Sequence, residues 1–67
     1  MGKNEAMKKA RSEKGLSQQA LADALGVSRQ TINAIEKGDY NPTIQLCIGI
    51  CRVLGLTLND LFWEEEK

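Results

Sequence analysis

Histidine is absent from this 67-residue chain. The commonest general base and the commonest metal ligand are therefore missing. A Ser-His-Asp or Cys-His nucleophile cannot be assembled, and two cysteines alone cannot close a four-ligand zinc site within one chain. The expectation is a protein that is not an enzyme and needs no metal and no cofactor. Aromatics are few (Tyr40, Phe62, Trp63), and Pro42 is the one proline. No apolar run approaches the roughly 18 residues that a membrane span needs. The opening Met1–Ala10 contains no apolar stretch of the signal-peptide kind. A cytoplasmic location is expected, with no membrane partner. The two cysteines, Cys47 and Cys51, stand on one face of an expected helix, which holds their backbones apart and suits a disulfide poorly. Their spacing is not the redox CxxC either. They read as small buried thiols used as apolar filler.

What is present describes a folded domain. Hydrophobic residues make up 42% and charged residues 27%, a balance that disordered chains do not show. At this length one domain is expected, spanning 1–67. Its core contributes only a few kcal/mol beyond the entropic cost, so a partner is often needed. Bases and acids balance at 9 each. The balance is uneven: Asp60, Glu64, Glu65 and Glu66 crowd the end against Lys67 alone, which leaves the body basic. A basic body is compatible with nucleic-acid binding without demanding it.

Glycines and hydroxyl residues divide the chain. Gly15, Gly26, Gly38 and Gly55 each follow a helix-like stretch, where a helix favours a residue tolerant of positive φ. Ser17, Ser28, Thr43 and Thr57 each open the next stretch, where an oxygen can accept from orphan amides. The spacing predicts five helices over about 4–14, 18–25, 29–37, 44–54 and 58–63, with no strand pattern. In the second, Ala20, Leu21, Ala24 and Leu25 repeat at helical spacing and should face a core. The second and third are joined by Gly26-Val27-Ser28. Helix, glycine-containing turn, helix is the helix-turn-helix plan, here over about 17–37.

The third helix has two unlike sides. With Arg29 at zero and about 100° per residue, Asn33 falls near 40°, Lys37 near 80° and Gln30 near 100°, against Ile32 near 300° and Ile35 near 240°. The polar arc carries no acid, and Glu36 sits at its boundary. Arg can make two parallel hydrogen bonds to guanine O6 and N7, and Gln or Asn two to adenine N7 and N6. Arg29 and Gln30 lie at the helix N-terminus, the end that enters the major groove in helix-turn-helix docking.

The run from Gly15 to Gly38, with Val27-Ser-Arg-Gln-Thr-Ile-Asn33 at its centre, resembles the helix-turn-helix of Cro/C1-type regulators, the XRE family. Tyr40-Asn-Pro-Thr43 and Leu54-Gly-Leu-Thr-Leu-Asn-Asp-Leu-Phe62 also match its short members, so the likeness covers about residues 5–63. It implies an all-α fold, a five-helix lambda-repressor-like DNA-binding domain with helices 4 and 5 over about 43–63. It implies a sequence-specific transcriptional regulator of double-stranded DNA, a repressor, binding a palindromic operator as a homodimer. Carried over by position, Gln18 contacts phosphate and buttresses the recognition helix. Ser28, Arg29, Gln30 and Asn33 face the groove, and Thr31 contacts phosphate or supports the helix. Lys37, Tyr40 and Asn41 track the backbone. Arg11 and Glu36 form a structural ion pair between the first and third helices. Two features depart from the family pattern: Asp39 stands where a base would help, and Gly49 interrupts the fourth helix.

The fourth helix suggests where a second subunit would sit. Its apolar positions fill about 220° of the circumference, more than one core face requires. Leu58, Leu61, Phe62 and Trp63 add an apolar cluster. Leu61 and Phe62 are the favoured core members of that cluster. The interface candidates are Leu46, Val53, Leu58, Phe62 and Trp63. Two copies set about 34 Å apart would read a palindrome. The alternative function is a protein-interaction module, an antitoxin or adaptor, using helices 4 and 5.

Overall fold

A computed structural model describes residues 4–62. Five helices follow in order: α1 (Glu5–Glu13), α2 (Gln18–Leu25), α3 (Arg29–Lys37), α4 (Ile44–Leu54) and α5 (Leu58–Leu61). Among the described residues there is no strand. The boundaries fall at the capping residues. Ser17, Ser28, Thr43 and Thr57 each accept an amide of the following first turn. Thr57 and Asp60 close a reciprocal capping box. Gly26 and Gly38 end α2 and α3 at φ 72° and 83°, a conformation that would strain any side chain. The fifth helix is shorter than the predicted 58–63, because Phe62 leaves the helical conformation; Trp63 lies outside the described residues.

The core is one cluster. Met7, Leu21, Ile32, Ile35, Ile50, Leu54 and Leu61 are buried together, with Val27 plugging the corner between α2 and α3. Side chains of this size stabilise by about 1.5–3 kcal/mol each on full burial. α2 packs on both α3 and α4, α1 meets α3 and α5, and α4 meets α5. The apolar side of α3 is thus sequestered, and its polar side is left outward.

Asn4 ties three parts of the chain together. Its side-chain oxygen accepts from the Met7 amide and caps α1. Its Nδ2 donates to the Leu61 carbonyl at 2.8 Å, and its backbone N–H donates to the Glu36 carbonyl at 2.9 Å. The ends of α3 and α5 are therefore both held by one buried residue.

Gly49 has a packing reason. A Cβ there would lie 3.0 Å from Leu25 Cδ2, so the glycine lets α4 approach α2. Helix propensity favours alanine by about 1 kcal/mol. The half-buried Leu25 methyl can retreat by a few tenths of an ångström. Gly49→Ala should therefore stabilise by less than about 1 kcal/mol, whereas Gly49→Val should destabilise by about 1–3 kcal/mol through overpacking. Urea denaturation midpoints of the two variants check this.

Cys47 and Cys51 are free and buried. Burial pushes both thiols above their ordinary range. A hydrogen bond at the Cys47 backbone offsets part of that rise, while the neighbouring Cys47 and Asp60 add to it at Cys51. The unfolded chain ionises its thiols first, so they contribute stability below the ordinary thiol pKa that is lost as pH rises beyond it. We expect both thiols to resist a maleimide at neutral pH until urea opens the fold. Labelling of either thiol in the folded protein at the rate of a free thiol would contradict this.

Candidate nucleic-acid interface

The site is built on the α2–turn–α3 unit. The Val27 amide returns to the Ala22 carbonyl at 3.0 Å, which fixes the turn. Ser28 then caps α3: its Oγ accepts from the Thr31 amide and lies 3.0 Å from Thr31 Oγ1. Thr31 therefore supports the helix start, with its side chain half-buried. Ser28, Arg29 and Gln30 are exposed on the first turn. Lys37 is exposed on the last turn, and Tyr40 and Asn41 are exposed in the loop beyond it. The ion pair among the described residues joins Arg11 to Glu36, which leaves Arg29 and Lys37 with no acid partner there.

Asn33 differs from its neighbours. It is half-buried, and its Oδ1 accepts from Gln18 Nε2 at 3.2 Å. The same Gln18 nitrogen donates to Glu36 Oε1 at 3.1 Å. Glu36 also accepts from Arg11 Nε at 2.8 Å and Nη2 at 3.3 Å, while Arg11 Nη1 donates to the Leu16 carbonyl at 2.7 Å. Both side-chain protons of the Gln18 amide are therefore engaged within the protein. Its backbone amide, one of the orphan donors at the start of α2, is the group left to face an anion. No buried polar side-chain atom among the described residues lacks a partner.

A recess of about 160 Å³ lies over this chain of bonds, lined by Glu5, Lys8, Gln18, Asn33, Glu36 and Lys37. Lys8 was not marked by sequence reasoning. It comes beside the third helix only because α1 packs there, a placement that no local pattern encodes. Among the described residues no cluster of carboxylates and thiols is arranged to hold a metal. No described helix is long and apolar enough to cross a membrane.

The expected interface residues fall into two groups. Leu46, Val53 and Phe62 are half-buried and pack against the core. Leu58 keeps 36% of its surface exposed, and Trp63 is outside the described residues. The larger apolar exposure on α4 is at Ile44 (63%) and Ile48 (38%), which the sequence reading left out of the interface. Helical arithmetic showed the width of the apolar arc. It could not show that α2 and α5 would cover one edge of it and leave the other.

Comparison with protein families matches residues 7–61 to the helix-turn-helix family. Among curated proteins the chain is similar to YgzD of Bacillus subtilis, described as an uncharacterised HTH-type transcriptional regulator. Identity is 44% over 91% of this chain and 92% of that protein. It is also 35% identical to the HTH-type transcriptional regulator PuuR of Escherichia coli, over 85% of this chain and 31% of that longer protein. Among solved structures it resembles the restriction-modification controller protein C.AhdI of Aeromonas hydrophila. The TM-score is 0.78 at 28% identity, over 85% of this chain and 86% of that one. The clp gene regulator ClgR of Corynebacterium glutamicum matches with a TM-score of 0.76 at 29% identity, over 82% of this chain and 70% of that one.

Proposed function

The chain belongs to the Cro/C1-type helix-turn-helix family of transcriptional regulators, and from that premise we propose that it is a repressor that binds a palindromic operator as a homodimer. The observation that carries this reading is the acid-free outward turn of α3. Arg29 and Gln30 stand exposed there, on a helix whose start is capped by Ser28 and whose back is locked by Ile32 and Ile35. A short rigid rod with a bidentate donor at its N-terminus suits the major groove. In this reading Lys37, Tyr40, Asn41 and the amides at the start of α2 contact phosphate, and Thr31 either does so or supports the helix. Such contacts set register and carry no sequence information. One such helix reads only a few base pairs, so a two-fold pair is needed for a selective site. Bound across a promoter, the dimer would exclude polymerase.

Selection of bound sequences from random duplex DNA tests this. A palindromic consensus with half-sites about one helical turn apart is expected. An asymmetric site or no consensus contradicts it, and the absence of consensus would favour the adaptor reading.

For the dimer, the apolar surface left outward by Ile44, Ile48 and Leu58 is the proposed contact. Ile48→Ala removes a partly exposed side chain and leaves the core alone. A two-fold interface counts that loss twice. The association constant should fall at least about tenfold, since roughly 1 kcal/mol of burial is lost per subunit. Sedimentation equilibrium measures it, and an unchanged constant would exclude this face.

A further inference from the structure

We propose that Lys8, on α1, is a phosphate contact of the bound duplex, so that the DNA surface takes in the first helix as well as the helix-turn-helix. The inference rests on the operator-binding reading above and adds a residue and a helix to it.

The placement comes from the recess beside α3. Gln18 and Lys37 line it, and Lys8 lines it with them. In the operator-binding reading the DNA backbone touches the start of α2 and the stretch from Lys37 onward. A backbone that meets both Gln18 and Lys37 passes the mouth of a recess only about 160 Å³ in volume, within reach of the flexible four-carbon stem of Lys8. Helical geometry separates Lys8 from its neighbour. With Arg11 at zero and about 100° per residue, Lys8 falls near 60° and Lys9 near 160°. Arg11 is the residue of α1 that reaches Glu36 on α3. Lys8 therefore stands beside that contact, and Lys9, further round the helix, lies outside the recess.

Two carboxylates, Glu5 and Glu36, line the recess as well, and neither holds Lys8. Glu36 is matched by Arg11 at 2.8 Å and already accepts from Arg11 Nε, Arg11 Nη2 and Gln18 Nε2. Glu5 is exposed, and the ion pair among the described residues does not include Lys8. With Arg11 counted, the three bases Arg11, Lys8 and Lys37 face these two acids, and the surplus is positive. The exposed Lys8 ammonium is held in water by its counterions, which a phosphate displaces on binding. Lys8 then fixes the register of the duplex and carries no base information.

The test measures affinity for a selected duplex across a salt series with the wild-type protein, Lys8→Gln, Lys8→Arg and Lys9→Gln. Glutamine has nearly the helix propensity of lysine and lacks its charge. Lys8→Gln should flatten the dependence of log affinity on log salt by about 2 per dimer, one phosphate for each subunit. Affinity near about 0.1 M salt should fall at least about tenfold, with base preference unchanged. Lys8→Arg keeps the charge and should keep the slope. Lys9→Gln removes the same charge from the same helix and should change the slope by less than about 0.5. Lys8 is exposed and outside the core cluster, so urea midpoints should match wild type. Should Lys8→Gln not fold, Lys8→Ala repeats the comparison. Three results overturn the proposal: an unchanged slope in Lys8→Gln, an equal flattening by Lys9→Gln, which would reduce the effect to net charge, or an altered base preference in Lys8→Gln. An Arg29-dependent consensus together with a silent Lys8→Gln defeats this inference and leaves the operator reading standing. No consensus at all defeats both.

Discussion

Glu36→Ala should cost about 3–5 kcal/mol of folding stability, because it strands a buried guanidinium. The Arg11 and Glu36 side chains are 11% and 5% exposed. Removal of the carboxylate leaves Arg11 with the Leu16 carbonyl alone, and leaves Gln18 without one of its two acceptors. An exposed pair would cost only about 0–1 kcal/mol, so burial decides the magnitude. Domains of this size hold roughly 3–10 kcal/mol in total at about 0.05–0.15 kcal/mol per residue, so the variant should sit near the edge of folding. The double variant Arg11→Met, Glu36→Leu removes both charges together and should recover most of the loss, as apolar replacements of buried pairs often do. Urea denaturation of the single and double variants measures both. A single-variant loss below about 1 kcal/mol would show that the pair is open to water.

Arg29→Ala should reduce operator affinity by about 2–6 kcal/mol per dimer, from about 1–3 kcal/mol at each half-site. The fork of donors is what matters. Arg29→Lys keeps the charge and should lose most of the same discrimination, because an ammonium cannot make two parallel bonds to O6 and N7. Arg29 is exposed and is not part of the core cluster, so the fold should be unchanged. Lys37→Ala is the control. It should lower affinity for consensus and scrambled duplexes alike, since a phosphate contact carries no base information. Binding isotherms on the two duplexes separate these effects. Equal losses for Arg29→Ala on both would remove it from base reading.

The parts of this fold that were legible in the sequence were the local ones. Ser17, Ser28, Thr43 and Thr57 signal helix starts through their own side chains, and a glycine after each stretch signals its end. The helix limits consequently fell within a residue or so, except at Phe62. The polar arc of α3 was legible for the same reason, since about two and a half turns of one helix need no tertiary knowledge. What escaped depends on elements far apart in the chain. Asn4 bonds to Leu61 across 57 positions, and nothing near Asn4 announces that partner. Gly49 looked like a defect until α2 was seen to lie against it. The pairing of Arg11 with Glu36 came from resemblance, as did the idea that Gln18 buttresses the third helix, but neither resemblance nor spacing gave Asn33 and Glu36 as the two acceptors of the Gln18 amide. On α4 the excess of apolar residues was countable, but its exposed edge at Ile44 and Ile48 was set by how the neighbouring helices pack.

The most direct measurement is amide chemical-shift mapping of the folded protein against a selected duplex. The largest changes should fall on Ser28–Asn33 and on the amides at the start of α2, with a second group at Lys37–Asn41, while the buried stretch of α4 around Ile50 and Cys51 stays still. Changes concentrated on α4 and α5 with Arg29 and Gln30 silent would contradict the assignment of α3 as the element that reads DNA.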